Sequence, residues 1–156
     1  MYKSEKLYYR KAFFMAMIMG VILFLPFVLI DGGYFIYYGD YNAQQIPFYT
    51  LCNQAIKNGS FMWSWQTDLG ANFIGSYSFY TLGSPFFWLS MLFPAEFAKY
   101  LMAPLLVLKI SCCSLFAFAY IRRFVRKPQS ALIGGLLYAF SGFSMYNVFF
   151  NHFHEA

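Results

Sequence analysis

The chain has 156 residues, of which 60% are apolar and only 11% charged, whereas a soluble domain charges about a quarter of its residues. That balance excludes an ordinary water-soluble globule and requires lipid to cover much of the surface. The net charge of +5 does not read as a nucleic-acid footprint, because eight of the eleven Lys and Arg residues fall in two blocks beside apolar runs: Lys3, Lys6, Arg10, Lys11 and Arg122, Arg123, Arg126, Lys127.

Residues 1–11 carry the first block and are expected on the cytoplasmic side. Residues 12–30 contain no charge and as a helix would extend roughly 28 Å, enough to cross a hydrocarbon layer of roughly 30 Å. The flank resembles a signal peptide, but no small-x-small cleavage site follows and the apolar run outlasts a typical signal core, so a retained first transmembrane helix is expected.

Because both basic blocks belong on the cytoplasmic side, an even number of crossings separates them and residues 31–99 form a long external loop. Within it Phe48, Leu51, Cys52, Ala55 and Ile56 fall on one helical stripe, opposed by Thr50, Asn53, Gln54 and Lys57. Pro47 suits the first turn and Asn58-Gly59 the stop. The spacing predicts an interfacial helix over 47–57 with its apolar stripe against lipid. The run PFFWLSMLF, 85–93, is too short to cross and is expected to lie on or dip into the outer leaflet.

A second transmembrane helix is expected over 100–121, begun near Ala95 with Pro94 and Glu96 in its first turn. A cytoplasmic loop follows over 122–129 and a third span over 130–150, where Gly134, Gly135, Ala139, Ser141 and Gly142 would permit close helix approach. Residues 151–156 open a second external loop. Cys52, Cys112 and Cys113 have neither an even count nor metal-ligand spacing. The fold class is an all-α, polytopic membrane protein with three transmembrane and two interfacial helices. These elements bury little polar surface among themselves, so the sequence reads as the N-terminal part of a longer protein.

The stretches GDYNAQQIPFY (39–49), WSWQTDLGANFIGSYSFYTLGSPFFWLSMLFP (63–94) and YAFSGFSMYNVFFNHFHEA (138–156) closely resemble the YfhO family of large bacterial membrane proteins, a branch of the GT-C glycosyltransferases. The resemblance implies an enzyme that takes a sugar from a polyprenyl-phosphate carrier and transfers it, with inversion, to a cell-wall polymer such as teichoic acid outside the membrane. It implies a multi-pass protein of the bacterial cell membrane with a cytoplasmic N-terminus. It also implies a first external loop with two membrane-parallel helices and a catalytic acid soon after the first span, a place that Asp40 occupies.

A carboxylate within about 3 Å of an acceptor hydroxyl can act as general base, the role expected of Asp40, although Gly39-Asp40 also suits a turn or helix cap. Asn42, Gln44 and Gln45 are candidate sugar-binding amides. Lys109 stands well inside the second span, where an ammonium costs about 3 kcal/mol on insertion scales. A carrier phosphate, a carboxylate or the interface could receive it. His152, His154 and Glu155 form H-x-H-E, which could hold a divalent cation or meet the carrier phosphate. On a helix, however, the two imidazoles would point about 200° apart. Trp63 and Trp65 suit either sugar stacking or interfacial anchoring, and Asp31, Lys57 and Lys99 read as boundary or surface charges. A transporter or flippase of a lipid-linked sugar or wall precursor, or a membrane scaffold for wall synthesis, would also fit these features.

Overall fold

The uncharged run after Lys11 lies within a 29-residue helix, α1 (Tyr2–Ile30), in a computed structural model that describes residues 2–36, 39–65, 67 and 69–148. Glu5 in its first turn complements the positive end of the helix dipole. The helix stops because Asp31-Gly32-Gly33 supplies a left-handed cap. Gly32 (φ 68°) and Gly33 (φ 100°) adopt positive φ, and the amides of Gly33 and Gly32 donate back to Val28 O and Leu29 O at 2.8 and 3.4 Å.

The loop that follows is helical for much of its length. A π turn (Tyr41–Gln45) runs directly into α2 (Ile46–Lys57), with Pro47 in the first turn. Then come two short antiparallel strands, β1 (Trp63–Ser64) and β2 (Ala71–Asn72), pairing Trp63 with Asn72 and Ser64 with Ala71. Apart from this two-residue pairing the described elements are helical, in keeping with the all-α expectation. Next are α3 (Phe73–Tyr77), a second π turn (Ser78–Leu82) and α4 (Pro85–Ser90), whose cap is Ser84 Oγ accepting from Phe87 N at 3.1 Å.

The apolar stripe of α2 packs on this loop, not on lipid as its periodicity suggests. Phe48 meets Tyr77 and Tyr80, Tyr49 meets Phe87 edge to face, and the Thr81 hydroxyl donates to Cys52 Sγ at 3.4 Å. Asn53, expected on the polar face, is buried because its amide nitrogen donates to Phe93 O at 3.2 Å and Ser90 O at 3.5 Å.

After a 3-10 turn (Ala95–Phe97), α5 (Ala98–Ile121) runs antiparallel to α1. The register can be followed from one end to the other. Arg122 Nη2 meets Glu5 Oε1 at 3.1 Å, Ser114 Oγ donates to Ala12 O at 3.0 Å, and Gly20 lies against the Val107 methyls. At the far end the Tyr34 and Tyr100 rings stack with their hydroxyls 3.2 Å apart. Both basic blocks therefore sit at one end of the hairpin.

Two helices among the described residues, Glu5–Ile30 and Ala95–Ile121, are long and apolar enough to cross a membrane. The third apolar run, expected as one helix over 130–150, is broken. Helix α6 (Pro128–Ala139) ends at Phe140, and α7 (Gly142–Tyr146) restarts from Ser141, whose hydroxyl oxygen accepts from Ser144 N at 3.3 Å. That local bond gives the backbone an alternative to continuing the helix, and Tyr138 O is taken by Ser144 Oγ at 3.2 Å. Helix α6 crosses α5 at Gly135, where the two backbones meet without an intervening side chain. The main core lies where the loop meets the half of the hairpin away from the basic blocks, around Tyr41, Tyr49, Phe87, Met102, Leu106 and Ile110.

Candidate functional site in the first loop and along α5

Gly39 (φ 74°) takes the left-handed conformation that turns the chain, and Asp40 follows in helical geometry at the head of the π turn, half-buried. Its carboxylate makes no capping hydrogen bond, and Ala43 N is instead satisfied by Gly39 O at 3.0 Å. Asn42 and Gln44 are half-buried on the same turn, while Tyr41 and Gln45 are buried. Gln45 Nε2 meets no hydrogen-bond partner among the described residues. The π turn stands at the head of α2, where the chain turns into that helix. Tyr41 anchors it, its ring edge to face with Phe35 at 5.4 Å. Burial, with Tyr49 beside it, pushes the Tyr41 phenol well above its ordinary range, so it stays protonated. Asp31 is accounted for structurally, since its Oδ2 accepts from Ile36 N at 3.2 Å and closes the loop after α1.

Lys109 belongs to a second place. Its side chain is 3% exposed and its ammonium lies 5.4 Å from the centre of the Phe86 ring, a cation–π distance. The residue stands roughly 16 Å along α5 from Ala98 at 1.5 Å per residue, so α4 reaches alongside the middle of that helix. There Lys109 lines a groove of about 870 Å³ between α4, α5 and α6, walled by Phe86, Leu89, Cys112, Phe116 and Tyr138. Apart from its single ammonium, two tyrosine hydroxyls and two thiols, the groove is mostly apolar in lining.

The structure thus gathers Asp40, Asn42, Gln44 and Gln45 on one turn and places Lys109 in a separate groove that none of those four lines. Helix α4 bridges the two. Phe86 lies over Lys109, and its neighbour Phe87 packs on Tyr49, about two helical turns beyond Tyr41. His152, His154 and Glu155 fall outside the described residues. Among the described residues no three His, Cys, Asp or Glu side chains gather as a metal site would require.

Two further clusters carry no periodic signal in the sequence. Lys99 sits 5.2 Å over both the Tyr34 and the Tyr100 ring. The hydrogen bond with Tyr100, and then the Lys99 charge, lower the Tyr34 phenol from its ordinary value. At the other end of α2, Trp63 and Trp65 form an exposed corner, their rings 5.7 Å apart and 70° inclined. Adjacent indoles were visible in the sequence, but their closure onto the end of α2 was not.

Residues 12–156 match the family described as bacterial membrane protein YfhO. No curated protein and no solved structure matches the chain. A match over nearly the whole length shows that the chain belongs to this family of bacterial membrane proteins, and its two long apolar helices agree with a place in the membrane.

Proposed function

From that membership we propose that the chain carries donor and catalytic elements of a membrane glycosyltransferase that uses a polyprenyl-phosphate sugar and decorates a cell-wall polymer. The observation that carries the reading is the groove beside α5. An isoprenoid tail needs a long apolar bed and its phosphate needs a cation, and the groove offers both through its lining and Lys109. The tail would lie along α5 with the sugar directed past α4 toward the Asp40 turn.

In the reaction the acceptor oxygen bonds to the anomeric carbon and its proton passes to an Asp40 carboxylate oxygen. The bond from that carbon to the phosphate oxygen breaks, and the carrier phosphate leaves with the electron pair. Asp40 is free to act in this way because it caps nothing. Asn42 and Gln44 offer amides on the same turn for sugar hydroxyls. His152 and His154 would meet the leaving phosphate, directly or, with Glu155, through a divalent cation. The reading includes a multi-pass arrangement with the N-terminus in the cytoplasm, which the positive-inside bias supports.

A second reading, a transporter of the same lipid-linked sugar, draws on the broken helix at Phe140–Ser141 and the buried Lys109, since transporters place broken helices and charges within the membrane. A photoreactive polyprenyl-phosphate sugar in proteoliposomes separates them. An enzyme crosslinks the probe at the α5 groove, loses that crosslink in Lys109→Met and releases sugar onto added polymer. A transporter moves the intact lipid-linked sugar between leaflets and leaves the polymer unmodified. Absence of any groove crosslink would overturn both.

A further inference from the structure

We infer that the C-terminal end of α2 and the Trp63–Trp65 hairpin form a binding trough for a neutral, hydroxyl-rich saccharide, set apart from the Asp40 turn. A cavity of about 320 Å³ lies between them, lined by Gln54, Asn58, Ser60, Ser64, Trp63 and Trp65. Its chemistry is that of sugar recognition, with flat aromatic faces for the C–H edges of a ring and amides and hydroxyls for its OH groups. The indoles are held in place from behind. A Cβ on Gly70 (φ +105°) would stand 3.0 Å from Trp65 Cε3 and 3.1 Å from Trp63 Cζ2, so only glycine lets the hairpin close under them. Their outer surfaces stay open, 50% for Trp63 and 78% for Trp65.

An adjoining groove of about 440 Å³ shares Gln54 and Asn58 and adds Asn53, Lys57 and Glu96. Asn53 is 3% exposed, its Nδ2 is committed to Phe93 O and Ser90 O, and its Oδ1 has no partner among the described residues. That oxygen lies beneath the groove surface, out of a ligand's reach, so recognition falls to the exposed amides of Gln54 and Asn58. Among the described residues the groove's one cation, Lys57, and one anion, Glu96, balance, and Lys57 Nζ donates to Phe93 O at 2.6 Å. The lining therefore selects an uncharged polyol over a phosphate.

The trough lies roughly 20–25 Å along the helix from Asp40, too far to hold the ring that reacts there. It would seat a neutral sugar unit carried by the acceptor polymer, away from the unit that reacts at Asp40. That assignment to the acceptor rests on the proposed transferase reading, whereas saccharide binding itself does not. Binding that is equally strong in the ground and transition states lowers KM without changing kcat, and the trough is expected to bind in that way.

The test is titration of the full chain in nanodiscs with maltotriose and chitotriose, followed by tryptophan emission and calorimetry, beside poly(glycerol phosphate) and lipid brominated at known depths. A saturable response to at least one trisaccharide is expected. It should weaken at least tenfold in Asn58→Ala and Gln54→Ala, both at exposed positions, and persist unchanged in Asp40→Asn. With polymer as acceptor, Trp65→Ala should raise KM with kcat retained. The inference is overturned if neither trisaccharide binds, if only the phosphate polymer does, or if brominated lipid quenches the indoles with no sugar response, which would make the hairpin a bilayer anchor. Loss of transfer in Asp40→Asn without trisaccharide binding would sink the trough alone. Trisaccharide binding with undiminished transfer in Asp40→Asn would sink the catalytic reading alone.

Discussion

Adjacent glycines on α6 should respond unequally to the same substitution. A methyl at Gly135 would lie 2.8 Å from Ser114 O and 3.0 Å from Phe118 N, both backbone atoms of α5. Ordinary contact needs about 3.5 Å, so the two helices must separate by about 0.7 Å or the backbone must strain. Overpacking of this kind costs about 1–3 kcal/mol, against which alanine recovers about 1 kcal/mol of helix propensity. A net loss of up to about 2 kcal/mol is expected for Gly135→Ala. At Gly134 the methyl would meet Ile121 Cδ1 at 2.9 Å, the far end of a side chain that can change rotamer for about 1 kcal/mol. Gly134→Ala should therefore be near neutral. Equilibrium unfolding in mixed micelles, read by far-UV circular dichroism, measures the pair. If Gly135→Ala proved as stable as Gly134→Ala, the close α5–α6 crossing would be wrong, and with it the wall that α6 gives the Lys109 groove.

In the same assay Ser114→Ala, which removes the hydroxyl bonded to Ala12 O, should cost about 0.6 kcal/mol and at most about 1.7. Ser111→Ala, whose hydroxyl returns to Val107 O on its own helix, should cost less; equal losses would deny that the Ser114 bond ties α1 to α5. Cys52 is fully buried, and burial pushes its thiol up to about 11 from 9.0, with the Thr81 hydroxyl offsetting part of the rise. At pH 8 its thiolate fraction is then roughly 100-fold below that of an ordinary thiol. In a Cys112→Ala, Cys113→Ala background maleimide should label it slowly, with a rate that climbs until pH passes about 11. Prompt labelling at pH 8 would refute its burial against Thr81.

Much of the hairpin could be read in advance, because an uncharged run ending in Asp31-Gly32-Gly33 carries both its length and its stop signal in adjacent residues. The break in the third apolar run could not, since hydropathy does not distinguish a serine that lines a helix contact from one that caps a new helix, as Ser141 does. Asn53 misled for a related reason. Helical spacing placed it among polar neighbours, but its amide satisfies carbonyls of Ser90 and Phe93, some forty residues away. At the candidate sites, Lys109 stood out by chemistry alone as a charge inside a span, whereas Asp40, which also suits a turn or cap, was singled out by the family resemblance. The groove beside Lys109 depends on Phe86 and Tyr138 converging from different helices, a juxtaposition that only tertiary packing creates.

The most direct test of the catalytic proposal is sugar transfer by the wild type and by Asp40→Asn in proteoliposomes supplied with one defined polyprenyl-phosphate sugar and a wall polymer. Removal of a general base should lower kcat by about 10²–10⁴-fold while crosslinking of the donor at the α5 groove stays at the wild-type level. A kcat within twofold of the wild type, with the donor still bound, would show that Asp40 takes no part in the chemistry.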